Sequence, residues 1–400
     1  MELEIYTLPT SINSVITNKG SKKVSFSFLK GIKVLDLSQY VPGPYATLLL
    51  ADMGADVVRI EPPGGEPMRR FGPPDADGIS AWYKLVNGSK SVLEIDLKSS
   101  DGKAQLESLI IGADAILESY RPGVMERLGF GKEEIKALNP RVVYCALSGW
   151  GQNGPYRSRA GHDLNYMSMM GGLVASGPAS KPIMSFPPVA DWSSGIQAAL
   201  TIVGGLMARD RPGGTDEGCF IDTSIAEAVV PWQMWTLTAM IRPTFELSRE
   251  SSYLNGGTAF YNIYKTKDNR FMTLGAVEEK FWFAFCDTVK HPEWRERQWE
   301  DAPQESLINE VSAVMLTKTM TEWEHEFSEV DCCFERLYEM HEMAEHPQIK
   351  AREMVKKQEN GKDSFYEVRY PAWVDGQPPH GRTAVRYRDP SDVIAEWSNS

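Results

Sequence analysis

Residues 31–61 read GIKVLDLSQYVPGPYATLLLADMGADVVRIE, and this stretch decides the fold. Apolar and polar side chains alternate over residues 32–37, as they do in a strand. Apolar side chains recur with helical spacing over residues 45–53, and Gly54 is typical of a helix end. A second short apolar run, residues 57–61, has the character of a strand. A strand–helix–strand unit of this kind predicts a parallel sheet with a crossover helix.

The alternation of predicted strands and helices continues along the chain. Further strands are predicted at residues 91–95, 115–118 and 142–147, and helices at residues 99–111 and 132–138. Residues 31–225 are therefore predicted to form one open, Rossmann-like α/β domain.

The two commonest phosphate-binding motifs are missing from their usual places in such a domain. No G-x-G-x-x-G follows the first strand, and no Walker loop occurs. A phosphorylated ligand would be bound by side chains at the carboxyl ends of the strands, where ligands of open α/β sheets bind. The candidates are Arg59, Asp96, Leu97, Lys98, Tyr120, Arg121 and Arg127. The alternative is that these are solvated surface charges.

The rest of the chain is predicted to form a second domain and two flanking segments. Residues 226–335 are predicted to be a smaller α+β domain. Its predicted elements are a helix from Ser224, strands at residues 260–266 and 271–276, and a helix that opens near Glu278. Residues 1–30 are predicted to be an N-terminal extension. Residues 336–400 are predicted to be a turn-rich C-terminal segment, with a helix near residues 341–357, that packs back on the large domain.

Composition and charge exclude several classes of protein. The chain has 400 residues, of which 42% are hydrophobic and 24% charged, enough for two globular domains. A formal net charge of -12 argues against a nucleic-acid binder, which needs a basic face. The five cysteines have no C-x-x-C spacing, so they are predicted to be reduced and to bind no metal. Without an 18-residue apolar run or a signal-peptide pattern, the chain is predicted to be cytoplasmic and to contact no membrane.

Three polar side chains, His162, Asp163 and Asp191, are embedded in apolar, small-residue sequence between residues 147 and 209. Burial of such groups is costly unless they are paired or used. An imidazole group titrates near neutrality, and a neighbouring carboxylate tunes it, so general acid–base chemistry is a candidate function. The alternatives are a structural histidine and, for Asp191, the N-cap of the apolar helix that follows. No G-x-S-x-G or H-E-x-x-H occurs, which disfavours serine hydrolases and metal chemistry.

Several longer motifs together resemble those of the family III CoA-transferases (the CaiB/BaiF superfamily). The likeness covers about residues 30–290 and, more loosely, the tail. The matching stretches are VLDLSQYVPGPYATLLLADMGADVVRIE (34–61), IDLK (95–98), ESYRPGVMERLG (118–129), LSGWGQNGPYRSRAGHDLNY (147–166), ADWSSG (190–195) and GGTAFYNIYKTKDNRFMTLGAVEEKF (256–281). The resemblance implies the α/β fold of this family.

Within the superfamily, the chain looks most like the α-methylacyl-CoA racemase branch. In the transferases, a nucleophilic aspartate follows the Asp of a Tyr-Asp pair by about 17 residues, and here that position is Ser180, which supplies no carboxylate. The racemase branch uses a histidine of a Gly-His-Asp motif and an aspartate of an Ala-Asp motif as opposed bases, and a later glutamate pairs with the histidine. The resemblance implies these three roles for His162, Asp191 and Glu278.

The resemblance also implies a coenzyme A site and an assembly. The implied contacts to adenine and phosphates are Arg59, Asp96, Leu97 and Lys98; those along the nucleotide are Ser119, Tyr120, Arg121 and Arg127; those at the thioester are Gly161, Asp163, Asn165 and Tyr166. No prosthetic group is implied, because coenzyme A enters as part of the acyl-CoA substrate. The implied assembly is an interlocked homodimer in which Glu278 of one chain faces His162 of the other. A heteromer with a related subunit is the alternative.

The resemblance implies one leading activity and two alternatives. The leading activity is racemisation of a 2-methyl-branched acyl-CoA, by removal and return of the α-proton through an enolate. The alternatives are a CoA-transferase that moves CoA between an acyl-CoA and a carboxylic acid, and a non-catalytic subunit of such a transferase. The chain departs from the family pattern at Pro62, where an arginine is usual, and at residues 331–336.

Overall fold

A computed structural model describes residues 26–242, 247–360 and 363–399 of the chain. Most of the predicted N-terminal extension therefore lies outside the described residues. In the described part of the chain, the largest sheet has seven parallel strands: β1 (Lys33–Leu37), β2 (Asp56–Glu61), β3 (Ser91–Glu94), β4 (Ala115–Glu118), β5 (Val143–Ser148), β6 (Cys219–Ser224) and β12 (Arg386–Tyr387). In space their order is β12-β3-β2-β1-β4-β5-β6. The predicted open α/β domain with a parallel sheet is confirmed.

Helices cover both faces of this sheet because its central strands are apolar on both faces. On one face, α1 (Pro42–Asp52) and the long α7 (Val189–Asp210) pack on a core that includes Val34, Val57 and Leu117. On the other face, α3 (Ser100–Gly112), α5 (Lys132–Leu138) and the last helix, α14 (Pro390–Ser398), pack on a core that includes Leu35, Val58 and Ile116. Two short helices, α2 (Ala81–Asn87) and α4 (Val124–Leu128), lie in the connections that follow β2 and β4.

The strand order reverses at β1, which pairs with β2 on one side and with β4 on the other. The connection after β1 therefore runs to one side of the sheet and the connection after β4 to the other. Such a switch point leaves a crevice at the carboxyl ends of the two strands, and this is where open α/β sheets bind their ligands. The short helix α6 (Asp163–Met169) and the first turn of α7 contribute to the same region.

The second domain is built on a small antiparallel sheet. Its strands are β7 (Tyr261–Lys265), β8 (Phe271–Gly275) and β9 (Phe334–Arg336), in that order. The helices α9 (Glu279–Thr288), α10 (Glu305–Met315) and α11 (Met320–Glu326) complete its core around Trp282, Phe285 and Trp323. The hairpin and the helix after it agree with the predicted elements, but the sequence did not indicate β9. The helix predicted to begin at Ser224 is not found there, because Ser224 is the last residue of β6. In sequence, β6 is followed by a 3-10 segment, Glu227–Gln233, and by the helix α8 (Met234–Ile241), before the small sheet begins.

The tail differs from its prediction. The single helix predicted near residues 341–357 is wrong: α12 (Met340–Glu345) and α13 (Pro347–Ala351) are separate, and the strand β10 (Val355–Asn360) follows. The helix breaks at His346 because the ring of the following proline, Pro347, disfavours the helical conformation of the residue before it. His346 accordingly has an extended ψ of 132°. β10 pairs with β11 (Asp363–Val368) in a hairpin.

The end of the chain returns to the large sheet. β12 pairs in parallel with β3. Within α14, the indole Nε1 of Trp397 donates to Asp56 Oδ2 at 2.8 Å, and its carbonyl accepts from Lys33 Nζ at 2.9 Å. The domain boundaries predicted at residues 225 and 335 stay predictions. None of the helices in the described ranges has the length and apolar character that a membrane crossing requires.

Candidate active site at the switch point of the sheet

The loop after β1 and the loop after β4 meet across the crevice. The backbone N–H of Gln39 donates to Ser119 Oγ at 2.8 Å, and this bond joins the two loops directly. On either side of Gln39, Ser38 N donates to Asp36 Oδ1 at 2.9 Å, and Tyr40 N donates to Glu66 Oε2 at 3.4 Å. Three successive backbone donors are thus fixed by three side chains from different parts of the fold.

Arg59 lies beneath this loop and is fully buried. Its guanidinium pairs with Asp36 at 3.0 Å, Glu61 at 3.0 Å and Glu66 at 3.1 Å. Lys90, also fully buried, pairs with Asp36 at 3.1 Å. Burial alone would raise the pKa of Asp36, but the two cations hold that pKa well below its usual range.

The position of Arg59 corrects the role predicted for it. A phosphate needs a donor at the surface, and the three carboxylates occupy this guanidinium inside the protein. Glu66 and Asp36, which Arg59 holds, in turn fix the backbone of the loop that follows β1. Arg59 therefore supports the crevice from below and is not a direct ligand in this structure.

His162 stands at the start of α6, where the chain turns from the loop into the helix. It is exposed, and its backbone N–H donates to Asn165 Oδ1 at 3.1 Å. The loop before it is fixed by Tyr166, whose buried side chain donates from its hydroxyl to the Gly161 carbonyl at 2.8 Å. The Tyr40 ring is perpendicular to the His162 ring, with 6.5 Å between the two centroids. The imidazole thus lies at the crevice, open to solvent.

Asp191 is the third residue of α7, and Pro188 is the N-cap of that helix. The alternative that Asp191 is the N-cap is therefore wrong. Its backbone N–H donates to Asp163 Oδ1 at 3.1 Å, which ties the first turn of α7 to the first turn of α6. Burial, and secondarily the negative charge of Asp163, raise the pKa of Asp191 to about 7.

The thioester-end residues form one connected group. Asp163 joins the two helix starts, Asn165 caps α6 and Tyr166 packs below them against Trp150, with 4.9 Å between the ring centroids. Burial raises the pKa of Tyr166 to about 12, and the charge of Asp191 adds to the effect. Gly161 has no room for a side chain, because a Cβ there would lie 2.7 Å from the Tyr166 ring. The absence of a side chain at position 161 therefore allows the Tyr166 ring to pack directly against the loop.

The residues predicted along the nucleotide follow β4, three of them directly at its carboxyl end and Arg127 in α4, and they differ in exposure. Arg121 and Arg127 are exposed and form no ion pair within the part of the chain that the structure describes, so both are free to meet an anion. Ser119 is used by Gln39. Tyr120 packs on the apolar core, and burial raises the pKa of its hydroxyl to about 12.

The other residues predicted around the adenine and phosphates, Asp96, Leu97 and Lys98, lie in the turn between β3 and α3. Asp96 Oδ1 accepts from the backbone N–H of Lys98 at 3.0 Å, which shapes the turn after β3. Leu97 packs against the core and Lys98 is exposed. Lys98 is thus the cation of this group that faces solvent.

Glu278 does not reach His162 within one chain. It is the exposed N-cap of α9 in the small domain. Its charge adds to burial in raising the pKa of the Cys333 thiol, which places it beside the residue before β9. Across the described ranges no hydrogen bond or ion pair joins Glu278 to His162. The third predicted catalytic residue is therefore not part of the site that a single chain forms.

Two residues at the crevice were missed in the sequence. Tyr40 lies next to His162 with φ of +62°, a left-handed conformation that its position in a turn did not reveal. Glu118, at the end of β4, is buried, and burial raises its pKa to about 8. Its carboxylate accepts from Tyr120 N at 2.6 Å. In the sequence, Glu118 could have been noticed because it is a charged residue at the end of an apolar strand.

A cavity of about 890 Å³ lies elsewhere, between residues 248–262 and 299–309. None of the predicted catalytic or nucleotide residues lines it. We place the site at the crevice, because the half-buried carboxylates and the exposed imidazole are there. No cluster of possible metal ligands occurs among the residues that the structure describes.

Comparisons with known proteins place this chain in a family. A model of CoA-transferase family III matches residues 29–386. The chain belongs to CoA-transferase family III. Within that family, it is 33% identical over 329 residues to the alpha-methylacyl-CoA racemase of Homo sapiens, with 81% of each protein covered. It is 30% identical over 336 residues to the succinyl-CoA–D-citramalate CoA-transferase of Chloroflexus aurantiacus (strain ATCC 29366 / DSM 635 / J-10-fl), with 82% of each covered.

The solved structures agree on the fold of this family III chain. The crystal structure of a CAIB/BAIF family protein from Brucella suis superposes with a TM-score of 0.80, over 93% of this chain and 99% of that one, at 21% sequence identity. The predicted membership of family III and the predicted fold class are confirmed. The relatives are enzymes of two kinds, racemases and CoA-transferases, as the leading activity and its first alternative require.

Proposed function

We propose that the protein is an acyl-CoA racemase or epimerase that acts on 2-methyl-branched acyl-CoA thioesters. One observation carries the proposal: the carboxylate of Asp163 binds the backbone of Asp191, so two proton-transfer groups, His162 and Asp191, lie at two joined helix starts. Racemisation needs two groups of this kind, one to remove the α-proton and one to return a proton on the opposite face. The similarity to the human racemase supports the choice.

The protonation of Asp191 suits this chemistry. A carboxyl group with a pKa of about 7 is present in both its acid and its base form at neutral pH. It can therefore accept the α-proton from one epimer and, as the acid, return a proton when His162 has removed it from the other. The backbone N–H groups of Asp163 and Leu164 come before the first hydrogen-bonded turn of α6, and they would provide donors for the oxygen of the enolate.

Coenzyme A would be bound by the strand ends. Lys98, Arg121 and Arg127 supply three exposed positive charges there, and phosphates are bound by groups of this kind. The reaction moves only a proton, so the proposal includes no prosthetic group. The acyl chain would lie toward Met167, Met169 and Met170, since unbranched methionine side chains adapt to different apolar groups.

We further propose that the site is completed in a homodimer. The helix α8 has no buried residue, although it is almost entirely apolar. Trp235, Met240 and Ile241 on this helix are more than half exposed, and so is Leu200 on α7. Apolar surface of this extent is typical of a face that another chain covers. A second copy would cover it and bring its own Glu278 to His162, which has no carboxylate partner among the described residues of one chain.

A CoA-transferase is the second candidate, because the similarity to the Chloroflexus aurantiacus enzyme supports it. Ser180 is exposed on a loop and carries no carboxylate. A transferase mechanism would therefore need one of the carboxylates at the crevice, Asp163 or Asp191, as the nucleophile that accepts the acyl group. Such an intermediate reacts with hydroxylamine, which gives the two candidates different signatures.

Incubation with one epimer of a 2-methylacyl-CoA in deuterated water tests the proposal. We expect deuterium at the α-carbon and appearance of the second epimer. The His162→Ala variant is expected to lose exchange by about 100- to 10,000-fold. It should keep CoA binding and its unfolding free energy, because the side chain is exposed. Absence of exchange in the wild type, together with CoA transfer to a free acid, would identify the transferase instead.

A further inference from the structure

Tyr40 has an unusual backbone conformation. Its φ of +62° is in the left-handed region, which costs a non-glycine residue about 1–2 kcal/mol. Such residues persist where the surrounding structure fixes them, and they cluster at functional sites. A glycine would adopt this conformation without strain, so the side chain of Tyr40 calls for an explanation.

The surroundings do fix this loop. Ser38, Gln39 and Tyr40 donate their backbone N–H groups to Asp36, Ser119 and Glu66. Two of the acceptors, Asp36 and Glu66, are themselves held by the buried Arg59. The loop therefore has one arrangement, and Tyr40 is kept at the point where the crevice opens.

The Tyr40 side chain does little for the hydrophobic core. It is 46% exposed, which leaves nearly half of a large aromatic surface in solvent. Its ring is perpendicular to that of His162, at 6.5 Å between the centroids. The loop therefore holds the backbone of Tyr40 so that its half-exposed aromatic ring lies beside the base of the proposed reaction.

We propose that Tyr40 determines substrate specificity: its ring forms a wall beside His162 that admits acyl-CoA thioesters with a methyl group at the α-carbon and rejects larger α-substituents. The proposal rests on the proposed function, because it takes His162 as the group that approaches the α-carbon. The α-substituent must then lie next to the base, where the fixed ring limits its size. One additional methylene group in an apolar pocket changes discrimination by about 10- to 200-fold, and a propyl group has two more than a methyl group.

The chain offers clean variants for a test. Tyr40→Gly removes the wall and suits the left-handed backbone, so it is expected to fold. Tyr40→Phe keeps the ring and removes the hydroxyl. Asn269→Gly is the matched control, since Asn269 also has a left-handed φ, of +61°, in the turn between β7 and β8. Dissociation constants are measured for a 2-methylacyl-CoA and a 2-propylacyl-CoA with the same main chain.

We expect the wild type, Tyr40→Phe and Asn269→Gly to prefer the 2-methyl thioester by at least about 10-fold. Tyr40→Gly is expected to reduce this preference to less than about 3-fold, mainly by tighter binding of the 2-propyl thioester. An unchanged preference in Tyr40→Gly, no preference in the wild type, or a loss in Tyr40→Phe equal to that in Tyr40→Gly would each overturn the proposal. Binding can be measured without turnover, so the two proposals fail independently. If the wild-type protein catalyses no α-proton exchange, the proposed function is contradicted, and the ratio of the two dissociation constants still tests the role of Tyr40.

Discussion

Two groups of charged residues lie on either side of the loop after β1, and they are built in opposite ways. Below the loop, Asp36, Arg59, Glu66 and Lys90 are fully or almost fully buried and are paired with opposite charges. At the starts of α6 and α7, Asp163 and Asp191 are partly solvated, and no cation pairs with either among the described residues.

The difference separates structural from chemical roles. Arg59 and Lys90 hold the pKa of Asp36 well below its usual range, so this carboxylate stays charged near neutral pH and can fix a loop but not exchange protons. A carboxyl group that is desolvated next to another carboxylate gains a pKa near neutrality, as Asp191 does. The predictions below test this contrast.

The largest effect is expected from Arg59→Met. The variant leaves Asp36, Glu61 and Glu66 without their shared cation, and loss of one partner from a buried ion pair costs about 3–5 kcal/mol. Urea unfolding of this variant measures the loss. The matched control is Arg141→Met, because Arg141 is a partly exposed arginine that pairs with the exposed carboxylates of Asp210 and Asp216, and its loss should cost about 1 kcal/mol or less. Equal losses in the two variants would contradict a special role for the buried network.

Asp191→Asn should abolish racemisation and yet stabilise the fold at neutral pH. Since the pKa of Asp191 is raised in the folded state, folding favours its protonated form, and the wild type loses stability as the pH rises from about 4 to about 7. The asparagine does not titrate. The unfolding free energy of the variant, relative to that of the wild type, should therefore increase across this pH window. The difference at pH 8 is expected to be on the order of 1–3 kcal/mol.

Unfolding free energies at pH 5 and pH 8 provide the measurement for Asp191→Asn. A difference between variant and wild type that stays constant with pH would show that Asp191 is not desolvated as described.

Asp163→Asn should shift the pH dependence without disturbing the helix starts. The amide oxygen of the new side chain still accepts from Asp191 N, but the negative charge that raises the pKa of Asp191 is gone. The acidic limb of α-proton exchange, for the epimer that Asp191 serves as base, should move to lower pH. Burial is the larger cause, so most of the elevation should remain. Asp101→Asn, in the first turn of α3, is the control and should leave the profile in place.

The smallest effect is expected from single substitutions of the exposed cations. Arg121→Ala and Arg127→Ala should each weaken coenzyme A binding by about 2- to 5-fold, because exposed charge pairs contribute little and are screened by salt. The losses should shrink further at high ionic strength. Arg388→Ala, which changes an arginine paired with Glu396 on α14, is the control. A loss of equal size there would show that net charge matters and position does not.

The sequence allowed the large sheet to be predicted because each central strand is apolar and each crossover helix has its own period and end signals. It also indicated His162, Asp163 and Asp191 as a group, since polar side chains in apolar sequence are conspicuous. The role predicted for Arg59, a contact to a phosphate, was wrong for a physical reason. Its partners Asp36 and Glu66 come from other segments, so only the folded chain shows that its charge is consumed internally.

Other features escaped because they depend on long-range contacts. β9 has three residues and β12 has two, which is too short for any periodicity. Each is a strand only because another strand, β8 or β3, supplies its hydrogen bonds. The left-handed backbone of Tyr40 is likewise imposed by acceptors from distant segments.

The return of the tail to β3 also affects how the chain is made. Arg386 pairs with Ser91 across 295 positions of sequence, so β12 can complete the edge of the large sheet only after all the residues between them have left the ribosome. Contacts between such distant segments form late and slow folding. Until then, β3 is an open edge that a neighbouring nascent chain can pair with. Recombinant yield should therefore depend on β12, although this strand has only two residues.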